Sequence, residues 1–262
     1  MKLLDRFGRA TNDFFEYAGG LTLLSVESVG FMARLRIRIT ETISQAALLG
    51  VQSLVIVTLT SLFTGAVISL ESAQQAVAYG VANLVGGAVA YASVRELGPM
   101  LTAVVVAGRV GAAIAAELGS MVVTEQIEAL RSMGLEPARF LVVPRLVALL
   151  VMLPLLTIFA DVVSIVGGMW IAQTYAHIPY ESFISSVRQS IDMADVFKGL
   201  LKAFVFATII AMVGAYQGLS TRGGAAGVGR STTFAVVLSI ILIFIANFVL
   251  SFLLFGSGSH HR

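Results

Sequence analysis

The chain has 262 residues, 57% of them hydrophobic and 12% charged, with a mean hydropathy of +0.91. Soluble domains carry about 25% charged residues, so this composition is that of an integral membrane protein. The formal charge of +2 gives no reason to expect a nucleic-acid partner, and the absence of cysteine excludes disulfides, thiolate metal sites and thiol catalysis.

The first segment, 1–40, is expected to lie at the membrane surface rather than cross it. Phe14, Tyr17, Leu21 and Leu24 recur at helical spacing while Asp13, Glu16 and Glu27 fall elsewhere, the pattern of an interfacial amphipathic helix. A poorly ordered tail is the alternative. Met1 to Thr11 is polar, with no signal peptide visible, which points to direct insertion into a bacterial cytoplasmic membrane. Arg34, Arg36 and Arg38 alternate with Leu35, Ile37 and Ile39; beside a membrane this places arginines at anionic headgroups.

Residues 41–256 read as the membrane domain, and 257–262, with His260 and His261, as a tail. About 20 apolar residues cross the hydrocarbon core. Thr42 to Leu70 forms the first run, and roughly 76–118 a long interrupted helix. Leu141 to Ile171, Ala203 to Thr221 and Ser231 to Phe255 supply the third, fourth and fifth spans. Lys and Arg cluster before the first span, after the second (Arg131, Arg139, Arg145) and after the fourth (Arg222, Arg230). By the bias of cationic loops toward the cytoplasm, the N-terminus is cytoplasmic and the C-terminus external. The fold class is therefore an all-α integral membrane protein: an N-terminal interfacial helix, five spans and a cytoplasmic helix between the second and third.

The informative stretch lies between Arg95 and Pro144. Arg95 and Glu96 open an Arg-Glu-Leu-Gly-Pro run inside apolar sequence, and intramembrane charge is usually kept for function. Arg95 offers a planar donor fork for a phosphate and Glu96 a counter-charge. A structural Arg–Glu pair, or groups satisfying backbone freed at Gly98-Pro99, is the plainer reading. Ala103, Ala107, Gly111, Ala115 and Gly119 repeat every fourth residue, a stripe suited to close helix approach, within one chain or between copies. Arg109 and Glu117 are expected to clamp together. Asp161 is a weaker mid-span candidate, expected to hydrogen-bond within the bundle.

Residues 122–135 read as a short charged helix. Ile127, Leu130 and Gly134 fall near one face, with Glu125, Glu128 and Arg131 elsewhere, and Gly134 and Pro137 are stop signals. Glu128 and Arg131 are spaced to pair. A connector touching nothing is the bland alternative; Ile127, Leu130 and Met133 in an exposed loop argue for a partner. Gly223 to Gly229 is glycine-rich without lysine and reads as a flexible loop. No Gly-x4-Gly-Lys-Ser/Thr occurs, so the chain holds no ATP in a P-loop, and ATP hydrolysis is not expected in it.

Glu128-Ala129 followed by Gly134 and Pro144 resembles the ATPase-docking loop of ABC-transporter permeases. Together with Arg95 to Pro99, Ala107 to Gly111, Ala116 to Gly119, Thr124 to Leu130 and Gly227 to Thr233, it resembles the MlaE/YrbE family across nearly the whole chain. The resemblance implies a homodimeric permease of a lipid-moving ABC system of the inner membrane, with a separate cytoplasmic ATPase that uses ATP and Mg²⁺ and with an MCE-domain partner. The lipid cavity would lie between two copies. It places the family's cavity polar pair on Arg95 and Glu96, beside Leu97, with Tyr79 as a cavity-lining tyrosine, phospholipid as substrate and 122–135 as the coupling helix. The rival readings are an ion-coupled secondary transporter using Glu96 or Asp161, an ABC permease for another hydrophobic substrate, and a membrane scaffold without transport.

Overall fold

The computed structural model describes residues 2–33 and 38–255, with side chains from residue 11 onward other than 13, 14 and 33. The arginine run at 34–37, the side chain of Phe14 and the tail 257–262 lie outside the described residues. Among the described residues there are ten α-helices: α1 (Lys2–Ala33), α2 (Ile39–Ala78), α3 (Val85–Ala92), α4 (Gly98–Val106), α5 (Ala112–Val123), α6 (Gln126–Ser132), α7 (Val143–Tyr175), α8 (Tyr180–Ser190), α9 (Met193–Leu219) and α10 (Gly224–Phe255). No strand occurs among the described residues. Among the described residues, five segments are long and apolar enough to cross a membrane: Ile39–Ala78, Ala82–Val123, Ala138–Tyr175, Met193–Leu219 and Gly224–Phe255. The chain is an all-α multi-pass membrane protein, as its sequence predicts.

Three boundaries differ from the sequence reading, each for a local reason. The second span starts at Ala82, not near 76, because α2 runs on to Ala78. There Gly80, at φ +71, closes the helix: its N–H reaches the Val77 carbonyl and the Val81 N–H the Ala76 carbonyl, a Schellman ending that needs a left-handed residue. The fourth span starts at Met193 instead of Ala203, because Lys202 is buried in the helix rather than in a loop. The glycine-rich run forms no long loop. Gly223 and Gly224 take positive φ, and α10 has begun by Gly224.

The second span is one helix interrupted twice. Wide π-helical turns at Ser93–Leu97 and Ala107–Gly111 separate α3, α4 and α5. A third, Ala138–Val142, precedes α7. Such turns concentrate at functional positions.

Glycines decide which helices touch. A Cβ at Gly65 of α2 would collide with the Ser164 backbone of α7, and one at Gly167 with the Leu62 backbone. These two spans therefore meet backbone to backbone, the contact that drives association where lipid supplies no hydrophobic effect. The small-residue stripe on the second span serves the same end inside the chain. Ala103, Ala107 and Ala115 are fully buried, Gly111 lies against Ile210, and Gly214 and Gly218 of α9 bring its backbone onto Gly111 and Ala115. The stripe packs within the chain, against α9. The amphipathic α1 packs Leu21 and Leu24 against the core, and Tyr17 meets Tyr216 of α9 and Phe234 of α10 edge-on.

This contact map predicts a contrast between two glycines. Gly65→Ala forces α2 and α7 apart and should cost about 1–3 kcal/mol. Gly19→Ala, where nothing lies within 4 Å, should be neutral or stabilise α1 by about 0.5–1 kcal/mol. Thermal unfolding in detergent reads both, and equal shifts would contradict the seam.

Candidate functional site

The site begins with a missing hydrogen-bond donor. Pro99 opens α4 and has no N–H to offer the carbonyls four and five residues back, Arg95 and Val94. The helix widens there, and the Gly98 N–H reaches the Ser93 carbonyl. Gly199 of α9 lies against the Val94 carbonyl, where any Cβ would intrude. Lys202, three residues further along α9, donates its Nζ to the Arg95 carbonyl at 2.8 Å. The lysine thus caps a backbone group that lipid could not satisfy.

A buried ammonium needs a counter-charge. Lys202 is fully buried and lies 2.9 Å from Glu96 Oε1, donating also to Ser251 Oγ at 2.8 Å. Glu96 in turn accepts from Asn247 Nδ2 at 3.0 Å and from Ser251 Oγ at 2.9 Å, both on α10. The second span, α9 and α10 are thereby tied at one knot. The Glu96 side chain keeps 38% of its surface exposed.

Arg95 points the other way. Its Nε is 3.0 Å from Asp195 Oδ1, its guanidinium donates to the Tyr91 hydroxyl, and it stacks over the rings of Phe255 and Tyr91 at 3.9 and 4.4 Å from their centroids. Arg95 and Glu96 are therefore not a pair with each other; each has its own partners on α9 and α10. Leu97 closes the wide turn, half-buried. Tyr79 is not brought to this cluster. It sits 81% exposed in the turn after α2, beyond the start of the second span.

The groups that complete the knot (Asp195, Lys202, Asn247 and Ser251) were missed in the sequence reading. Lys202, a charge next to an apolar run, is the signal in the sequence; a fourth span that begins at Ala203 leaves it just outside. Asp161 departs from expectation as well. Its Oδ1 is buried against Gly98 and, among the described residues, has no hydrogen-bond partner. The expected Arg109–Glu117 clamp does not form. Arg109, in the second wide turn, donates to Gln52 and Ser53 of α2, while Glu117 pairs with the buried Arg145 of α7 at 2.8 Å.

At the other end of the bundle, α6 is shorter than 122–135. Glu125 at φ 58 turns the corner after α5. Gly134 at φ +74 ends α6, with its own N–H to Arg131 and that of Leu135 to Leu130, the same closure as at Gly80. Ile127 is buried and holds α6 to the bundle. Leu130 is half-buried, whereas Glu125, Glu128, Arg131 and Met133 are exposed. Glu128 and Arg131 form no ion pair, and their charges face outward.

A five-span helical bundle with charged groups knotted inside its spans and a short charged helix at one end defines a polytopic membrane protein with polar groups inside its spans. Residues 42–253 match the family model described as Permease MlaE. A probable ABC transporter permease protein of Synechocystis sp. is 45% identical over 85% of each chain. One of Rickettsia typhi is 35% identical over 97% of this chain and 98% of its own. The chloroplastic protein TRIGALACTOSYLDIACYLGLYCEROL 1 of Arabidopsis thaliana is 38% identical over 83% of this chain and 63% of its own length. The chain belongs to the MlaE permease family, and it is an ABC transporter permease.

The knot makes a sharp stability prediction. Lys202→Met strands both the Arg95 carbonyl and Glu96, and should cost about 3 kcal/mol, the low end for a broken buried pair because Glu96 is half-exposed. Adding Glu96→Leu should recover part of that loss. A thermal double-mutant cycle measures the coupling, and additive effects would contradict it.

Proposed function

We propose that this permease moves phospholipid, or a lipid of similar build, between the inner membrane and an MCE-domain protein, as a pair of copies driven by a separate ATPase that binds ATP and Mg²⁺. The observation that carries this reading is Glu96: a carboxylate with 38% of its side chain exposed within a membrane-spanning segment. Left facing hydrocarbon, such a group is costly. A cavity that holds lipid headgroups and water relieves that cost. Asn247 and Ser251, beside Glu96 on α10, add polar surface to the same face.

A second copy supplies the other wall. The buried stripe at Ala103, Ala107, Gly111 and Ala115 is spent within the chain, so α10 is the better seam. It exposes Phe234, Val237, Ile241, Phe244, Phe248 and Phe252, and its end bears the polar groups that need covering. Arg131, Arg139, Arg145, Arg222 and Arg230 lie in the sequence around α6 and the loop before α10, and the bias of cationic loops toward the cytoplasm supports a cytoplasmic α6. There Glu125, Glu128, Arg131 and Met133 form the face offered to the ATPase, and Ile127 transmits its movement to the spans.

The ion-coupled reading keeps one supporting observation, the buried Asp161 Oδ1, which has no hydrogen-bond partner among the described residues. Glu96 suits it less, being held by Lys202, Asn247 and Ser251. In reconstituted vesicles Asp161→Asn should leave ATP-driven lipid transfer intact; loss of transfer with a collapsed proton dependence would favour ion coupling.

Coupling is tested at the exposed face of α6. Glu128→Lys with Met133→Asp should lower ATPase copurification by about tenfold or more, the effect of removing central interface contacts, without shifting thermal stability. Unchanged copurification and ATPase rate would rule out α6 as the handle.

A further inference from the structure

A second polar feature lies where α8 meets α9, next to Phe255 at the end of α10. A cavity of about 400 Å³ opens where α8 turns into α9, and Tyr91, Arg95, Arg188, Asp192, Asp195 and Lys198 line it. Both acids are committed. Asp192 and Asp195 form the reciprocal capping box at the start of α9, and Asp195 also pairs with Arg95. Arg188 and Lys198 have no acidic partner within 4 Å among the described residues. Lys198 is half-buried with its Nζ 4.9 Å from the Phe255 ring centre. Three cations and two carboxylates thus share one cavity, a formal excess of one positive charge, with Arg188 and Lys198 outside any ion pair among the described residues. This is a chemistry that recognises phosphate-type anions.

An apolar surface that could receive an acyl tail adjoins the cavity. Met193, Phe197, Leu201 and Phe204 are exposed at 75%, 69%, 47% and 44%. At spacings of four, four and three they run in one line down α9, starting next to Ala194 and Lys198 on the cavity rim. A headgroup in the cavity would have an apolar track for its acyl chain directly below. Neither a soluble anion nor an acidic peptide would use that track.

We infer that Arg188 and Lys198, with Arg95 behind them, form a headgroup site on each single chain that selects anionic over zwitterionic phospholipid. This deepens the lipid-transport reading and rests on it for its biological use, but binding here requires neither a second copy nor an ATPase. The site would stand at the end of the bundle opposite α6, where lipid is exchanged with a partner beyond the membrane.

The test uses the full-length protein in nanodiscs containing equal phosphatidylglycerol and phosphatidylcholine, with bound lipid read by native mass spectrometry. The wild type should hold phosphatidylglycerol in preference. Arg188→Gln with Lys198→Gln should reduce that preference by about fivefold, the value of charge-assisted hydrogen bonds discounted for partial exposure. Arg188→Lys alone should retain most of it, and Arg222→Gln, an exposed cation at the α6 end, should leave it unchanged. No wild-type preference, or a preference equal in the double variant, overturns the inference. Millimolar inorganic phosphate should leave the preference in place; if phosphate alone abolishes it, the site takes the free anion and the lipid assignment falls. Failure to recruit an ATPase would instead remove the transport reading, since this binding is measured without one.

Discussion

The absent N–H of Pro99 organises the membrane-facing chemistry of this protein. A backbone carbonyl unsatisfied in lipid costs several kcal/mol, and the N–H that Pro99 lacks is the one that would meet the Arg95 carbonyl four residues back. The Lys202 ammonium meets it instead, on a helix whose Gly199 lets it pack against the neighbouring Val94 carbonyl. That ammonium is itself too costly to bury alone, so it draws in Glu96 and Ser251. Glu96 then engages Asn247. Each group is required by the one before it, and the sequence of requirements ends with α9 and α10 fastened to the second span. Arg95, displaced from Glu96 by this arrangement, is free to turn toward Asp195 and the flank of α9.

The same span connects this knot to α6. Between them lie α4, the second wide turn with Arg109, and α5. Wide turns are where a helix bends at low cost, and two in one span divide it into three rods. Arg109 ties the lower turn to Gln52 and Ser53 of α2, and Arg145 ties α5 to α7 through Glu117. In the transport reading, a push on α6 passes through Ile127 and α5 to these joints, and is felt at Glu96 as a change in how the knot faces its cavity.

The architecture was legible in the sequence because length and charge-free composition decide membrane spans almost alone. The interruption near Arg95 to Pro99 was legible too, since proline within an apolar run must break the ladder. Partners were harder to read. Arg95 and Glu96 are adjacent in sequence, yet a helix sends neighbouring side chains about 100° apart, so each finds its own set of partners on α9 and α10. Lys202 was hidden by the habit of ending a span at a charge. Tyr79 was placed one helix too late because the Gly80 closure was not recognised. The small-residue stripe signalled close packing correctly, but such a stripe does not reveal which helix fills it; Gly214 and Gly218 on α9 are the complement that decides it. Ile127 illustrates the same limit, since an apolar residue in a charged helix can anchor the helix as well as dock a partner.

The central claim is that the wide turn at Pro99 handles lipid under the control of an ATPase bound at α6. A photo-crosslinking residue at position 97, at the end of that turn, tests it most directly, against one at position 170, where Trp170 is 60% exposed on α7. In membranes containing the permease and its ATPase, lipid labelling at 97 should change when ATP is added, while labelling at 170 should not. Labelling at 97 that ignores ATP, or that matches 170 under every condition, would contradict the account.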